Sequence, residues 1–484
     1  LGDRLAVQIR VSPIANLAYH LDCLGHQISC TLGAYETLWR NTWSWTPEDD
    51  AQLQAWRALK QRYPRTVRTG SKPDPGAIPS ALPIGSLRLD LDKKRRLAST
   101  LVDDLALYQE TLSLTMHASD AARAVEIMAH FMPRFRQWWD KDNHGAQLGA
   151  WQRRLEETIV ATQLVERLEQ VAAFYGAELH SSVPLVADLI LLPGNGARSR
   201  AERLENHAFV EIASTTSDAR ERLPIIAHEF FHHFMNMSPT AHRRAVLDQL
   251  AASDDACAIA AWNLLDETLA TTLGNAWVAS HLRPEAELQA RLDDPKRLYA
   301  DPFIGPTAAR LYPALRDAIN TSQGMNHPAF IKAYLSAFNP SVANEGGCLR
   351  PMLFTAGIAH DNAFRSTVRH AARTLKIRSL STYRGLQERS RHSVDAYPMM
   401  TTLIMVHPDR TKALKRWSDT LGSSHTTAIV RSAKDAPLIY GVPRPGGNAW
   451  LLVLMARTDD EFKGLLDRLN TTQTPTEGVW IHTP

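Results

Sequence analysis

The chain has 484 residues, of which 44% are hydrophobic and 22% charged, and its net charge is +3. Such a length supports a large core and roughly two to four domains, and no apolar run approaches the roughly 18 residues of a membrane-spanning helix. A charge this close to balance excludes nucleic acid as the main partner, because that binding needs a concentrated basic face.

The segment Arg4 to Val11 alternates Leu5, Val7, Ile9 and Val11 with mostly polar neighbours, which predicts a half-buried strand. A helix is expected next, over Pro13 to Leu24. Cys23 and Cys30 are spaced to close a short disulfide loop, with a reduced pair as the alternative, and the four cysteines show no CxxC pairing. Trp39, Trp43 and Trp45 are read as core or a packing shelf. The following helix has Thr46 as its cap, Pro47 at its first position and acids in its first turn.

From Thr66 to Gly85 the chain is rich in proline and glycine without periodicity, as in a long loop or linker. Helical patterns dominate from Lys93 to Tyr175; the clearest runs through Leu148, Trp151, Leu155, Ile159, Leu164, Leu168 and Val171. The texture changes at Pro184, where "LVADLILL" and "HAFVEIA" read as strands. The latter leads through Thr215 to Asp218 into a helix.

Between Arg365 and Arg391 eight basic residues face the lone Glu388, and Arg365, Arg369 and Arg373 share one helical face. This is read as a solvated helix face, with docking of an acidic ligand as the alternative. Past Tyr397, "MMTTLIMV", "TTAIVRS", "LIYGV", "AWLLVLMAR" and "GVWIH" read as strands, with helices near Pro408 to Leu421 and Asp459 to Leu469. The fold class expected is α+β. It divides into an N-terminal strand and helix region with its linker (1–92), a helical subdomain (93–180), a catalytic domain (181–345), a basic helical connector (346–395) and a small C-terminal α/β domain (396–484).

The most informative residues are "AHEFFHHF", Ala227 to Phe234. A helix advances about 100° per residue, so His228 and His232 project from one face, one turn apart. Two imidazoles so placed can share one zinc ion, and Glu229, at the edge of that face, can reach a water on the metal without ligating it. The surrounding Ile225, Ile226, Phe230, Phe231 and Phe234 bury the element, where unpaired polar groups are costly. Pro224 reads either as the first helical residue or as a kink in a helix capped at Asp218.

Catalytic zinc usually takes three protein ligands. Position 238 is Ser238, which excludes a third histidine six residues beyond His232. His233 points away from the ligand face, and His242 lies past Pro239. The segment "NLLDETLATTLGNAW" carries Asp266 and Glu267. Ala270, Thr271 and Gly274 follow Glu267 along its face and are small enough for close helix approach, so Glu267 is the expected third ligand in preference to Asp266. Thr271 is expected to hydrogen-bond a ligand and orient it.

HEFFH followed by a helix-borne glutamate in "ETLATTLG" resembles the gluzincin metallopeptidases, the thermolysin-like zincins, over about Pro184 to Trp277. The chain departs from the thermolysin pattern in a longer gap between His232 and Glu267 and in Thr271 standing where those enzymes carry an Asp. The resemblance implies a zincin-like catalytic domain, one zinc ion on two His and one Glu, and a strand before the motif helix that pairs with an extended substrate, here "HAFVEIA". It also implies a Tyr or His donor to the oxyanion. Tyr299 is the first candidate, ahead of Tyr312 and His327.

The expected function is therefore zinc-dependent hydrolysis of a peptide or protein substrate, with Glu229 as general base. The alternatives are a zinc hydrolase of non-peptide substrates and a catalytically silent zincin scaffold; retention of Glu229 argues against the scaffold. Position 1 is Leu rather than Met, which fits a cleaved secretory signal and a secreted or periplasmic location, with the cytoplasm as the alternative.

Overall fold

A computed structural model describes residues 5–28, 30–62, 91–180, 182–194, 200–255, 257–344, 347–361, 364–375, 377, 379–395, 400–444, 449–471 and 475–482. The expected linker at Thr66 to Gly85 lies outside them. The described chain is mostly helical, with two mixed sheets.

The first sheet contains β1 (Val7–Arg10), β2 (Leu185–Leu192), β3 (Ala201–Leu204) and β4 (His207–Ala213), in the order β1-β2-β4-β3. The first three in that order run parallel, and β3 returns antiparallel along β4. Every residue of β2 and β4 is buried, which explains their near-continuous apolar sequences. The polar residues within them are paired. Asp188 Oδ2 meets His207 Nδ1 at 2.7 Å, while Glu211 accepts bonds from Tyr35 Oη, Thr31 Oγ1 and the Arg200 backbone N–H.

The helix Pro13–Leu24 has Ser12 as its cap, and Pro47–Arg62 starts at a reciprocal cap in which Asp49 accepts from Thr46 and Thr46 Oγ1 accepts from Asp49 N–H. The run ending at Tyr175 divides into His144–Ala161 and Leu164–Tyr175, because Gln163 takes a left-handed conformation between them. Trp39 is fully buried, and Trp43 and Trp45 pack at the edge of the same core. One apolar cluster runs from Leu5 to Met352, so the segments 1–92, 93–180 and 181–345 fold around a common interior.

The second sheet has the order β10-β8-β9-β7-β5-β6, from β5 (Thr355–His360), β6 (Ser379–Arg384), β7 (Thr401–Val406), β8 (Leu438–Pro443), β9 (Trp450–Met455) and β10 (Gly478–His482). Separate apolar clusters cover its two faces.

Two expectations are corrected here. Residues 346–395, read as a helical connector, supply β5 and β6, whose small and polar residues carry no apolar strand signal. "TTAIVRS" lies within a helix, Ser423–Ser432, where Thr426 and Ile429 are buried three apart and helical packing overrides the β-branched composition. In the basic stretch, Arg365–Thr374 is helical and Arg373 is exposed, while the side chains of Arg365 and Arg369 lie outside those described. Arg391 pairs with Asp419 at 2.9 Å.

Disulfides link Cys23 to Cys30 and Cys257 to Cys348. Among the described residues, no helix is long and apolar enough to cross a membrane.

Candidate metal centre

The helix bearing the histidines spans Leu223–Met237. Asp218 caps a short 3-10 turn, Ala219–Arg222, through a bond from Arg220 N–H, and Pro224 falls in the first turn of the α-helix that follows. The proline's missing donor costs nothing there. This motif helix packs on β3, on β4 and against the helix Ala258–Thr271, which continues as a π-helical stretch, Thr272–Val278.

Gly274 makes that last contact possible. A Cβ there would lie 2.6 Å from the Pro224 carbonyl oxygen, 2.8 Å from His228 Cβ and 3.0 Å from His228 Cα. The small-residue face inferred from the sequence is thus where the two helices approach, and it brings Glu267 to the histidines.

His228 Nε2 and His232 Nε2 are 3.1 Å apart. Glu267 Oε1 lies 3.4 Å from His228 Nε2, and its Oε2 lies 3.5 Å from His232 Nε2. Zinc–nitrogen bonds of about 2.0–2.1 Å in a tetrahedron put neighbouring donors about 3.3–3.4 Å apart, so the nitrogen pair and each nitrogen's nearer Glu267 oxygen lie close to that spacing, with all three side chains within reach of one ion. Two facing imidazole nitrogens and a carboxylate also leave a gap that a cation would satisfy. His228, His232 and Glu267 form the single such group among the described residues.

The surroundings divide the roles. Glu229 is buried beside the cluster; burial pushes its carboxyl pKa up, the two histidines and Arg203 oppose this, and Glu267 adds to it. Burial would lower His232, but the charges of Asp266 and Glu267 prevail and raise it to about 10. Glu267 is held well below the usual carboxylate range: burial acts upward but is outweighed by His232, His228 and a bond from Tyr299.

Tyr299 stacks on His228, with centroids 6.2 Å apart and planes at 10°. Among the oxyanion candidates it contacts the cluster at two points, His228 by stacking and Glu267 by its hydroxyl. Tyr312 lies under Arg316, and His327 Nδ1 accepts a bond from the Ala329 backbone at the next helix start. His233 turns away and bonds the Glu205 backbone, and burial depresses it to about 4. His242 packs against Gly176.

Two site expectations are corrected. Strand β4, expected to pair with substrate, is paired on both sides, by β2 and β3; among the described residues the edge on that side of the sheet belongs to β3, a short charged strand that sequence periodicity missed. Among the described residues Thr271 Oγ1 is buried without a hydrogen-bond partner, and the group lying beside a ligand is instead Asp266, whose Oδ1 is 3.0 Å from His232 Nδ1. The adjacent acids in "DET" were the available signal.

Compared with known proteins, the chain matches no family model, no curated protein and no solved structure. The cluster itself therefore carries the functional reading.

Proposed function

We propose that this protein is a zinc-dependent metallopeptidase of the gluzincin type, with a zincin-like catalytic domain and one ion held by His228, His232 and Glu267. The observation that carries the reading is the convergence of those three side chains close to tetrahedral donor spacing, with a buried carboxylate, Glu229, beside them. Zinc, when bound, supplies a Lewis acid that polarises a carbonyl and acidifies water toward a pKa of about 7.

The chain's own groups do the rest. Glu229 takes a proton from the attacking water and delivers it to the leaving amine; burial raises its pKa, which makes it a stronger base than an exposed carboxylate. Tyr299, against His228, supplies a hydroxyl for the developing oxyanion. The outer edge of β3, which pairs with no other described strand, offers main-chain groups to an extended peptide beside the motif helix. Two disulfides support a secreted or periplasmic setting, where such bonds persist.

The test is metal content and peptide-library cleavage for the wild type and Glu229→Gln. The reading expects zinc in both and cleavage by the wild type alone. Zinc in both with cleavage in neither would indicate a silent scaffold, and absence of metal from both would overturn the proposal.

A further inference from the structure

The two histidines of the cluster are not held alike. His228 Nδ1 is buried without a hydrogen-bond partner, and its ring is steadied by the stacked Tyr299. The ring of His232 is gripped at both nitrogens by consecutive residues of one helix: Asp266 Oδ1 sits 3.0 Å from Nδ1, and Glu267 Oε2 sits 3.5 Å from Nε2. Neighbouring residues on a helix diverge by about 100°, so the two acids reach one ring from different sides, one at each nitrogen.

We propose that Asp266 is a positioning residue which fixes the orientation and tautomer of His232 so that Nε2 faces the metal, while Glu267 alone of the pair ligates. This rests on the metal-centre reading above. Two observations support the assignment. Asp266 Oδ1 is buried and meets no hydrogen-bond donor in alignment, and at 3.0 Å from Nδ1 it is placed where a small rotation of the ring, as on metal binding, would bring the imidazole N–H onto it and offset its desolvation. Moreover, a ligating imidazole generally donates its second N–H to a carboxylate or carbonyl, which sets which nitrogen carries the lone pair. His232 has such a carboxylate, and Arg243 lies near enough to Asp266 to balance its charge. The role that the sequence suggested for Thr271, one turn after Glu267, is thus filled by the residue immediately before it.

The experiment compares wild type, Asp266→Ala, Asp266→Asn and Glu267→Gln by zinc affinity in chelator competition and by the visible spectrum of the cobalt-substituted protein, with the melting temperature of each metal-free form recorded. Removing an orienting partner weakens metal binding by about 10- to 100-fold. Asp266→Ala is expected to show that loss with a changed cobalt spectrum. Asp266→Asn, whose amide oxygen still accepts from Nδ1, should recover most of both, and Glu267→Gln should weaken binding further than either. Wild-type affinity and spectrum in Asp266→Ala would overturn the proposal while leaving the metal centre standing. So would a loss that Asp266→Asn does not rescue and that tracks the metal-free melting temperature, or a larger loss in Asp266→Asn than in Glu267→Gln. A wild type that binds neither ion would overturn both readings.

Discussion

Gly274 is where the metal centre is most vulnerable to a single methyl group. In Gly274→Ala the added carbon would meet the Pro224 carbonyl oxygen at 2.6 Å and His228 Cβ at 2.8 Å. Ordinary van der Waals contact begins at 3.4 Å, so the two helices must part by about 0.6–0.8 Å. None of the opposing atoms is the end of a flexible side chain, which leaves backbone movement as the only relief. Overpacking of this kind costs about 1–3 kcal/mol, and misplacing a reacting or ligating group by about 1 Å can cost on the order of 100-fold in function. Thermal melting and zinc competition should both respond, with affinity falling by at least about tenfold. A useful control is Gly464→Ala in the helix Asp459–Thr471, where nothing lies within 4 Å of the new carbon; it should stabilise the protein by about 0.5–1 kcal/mol. If Gly274→Ala melts and binds zinc like the wild type, the close-approach account of the site is wrong.

Tyr299→Phe should retain zinc and lose about 100- to 1,000-fold in kcat if the phenol serves the oxyanion; an unchanged kcat would restrict Tyr299 to supporting Glu267. His20 is fully buried and accepts a bond from Trp39 Nε1–H on its Nδ1, and burial lowers its pKa to about 3. The unfolded chain therefore binds the proton first on acidification, and stability is lost as pH falls from about 6.5 toward about 3, with about 2 kcal/mol gone by pH 5. Urea unfolding at pH 7 and pH 5 measures this, and His20→Gln with the same loss would refute it. Asp49, whose side chain is fully buried, binds Thr46, His130 and Arg134 together. Asp49→Ala should cost about 3 kcal/mol in denaturant unfolding, and a change below about 0.5 kcal/mol would show that these donors find water instead.

What the sequence made legible was what repeats or clusters locally. The helix Pro13–Leu24 announced itself by its pattern, and Pro47–Arg62 by its cap and acidic first turn. The pair His228 and His232 followed from helical geometry, and Glu267 from the small residues after it. The remainder depended on partners distant in the chain. Strand β3, "AERL", has no apolar alternation because it is a sheet edge, and its pairing is visible only with β4 in place. Strands β5 and β6 are carried by neighbours that cover both faces of their sheet. The small residues after Glu267 favoured it over Asp266, but that Asp266 also lies against His232, at its other ring nitrogen, is visible only with the two helices packed.

Strand β1 sets the order in which this protein can be built. Val7 registers with Leu185, so the sheet beneath the motif helix closes a loop that contains every described helix before that strand. Loop closure of that span carries a larger entropic cost than local contacts, and non-local pairing of this kind slows folding. Strand β1 can therefore pair only after the whole stretch to β2 is available, and the helices between them are the elements that hold the two strands within reach of each other.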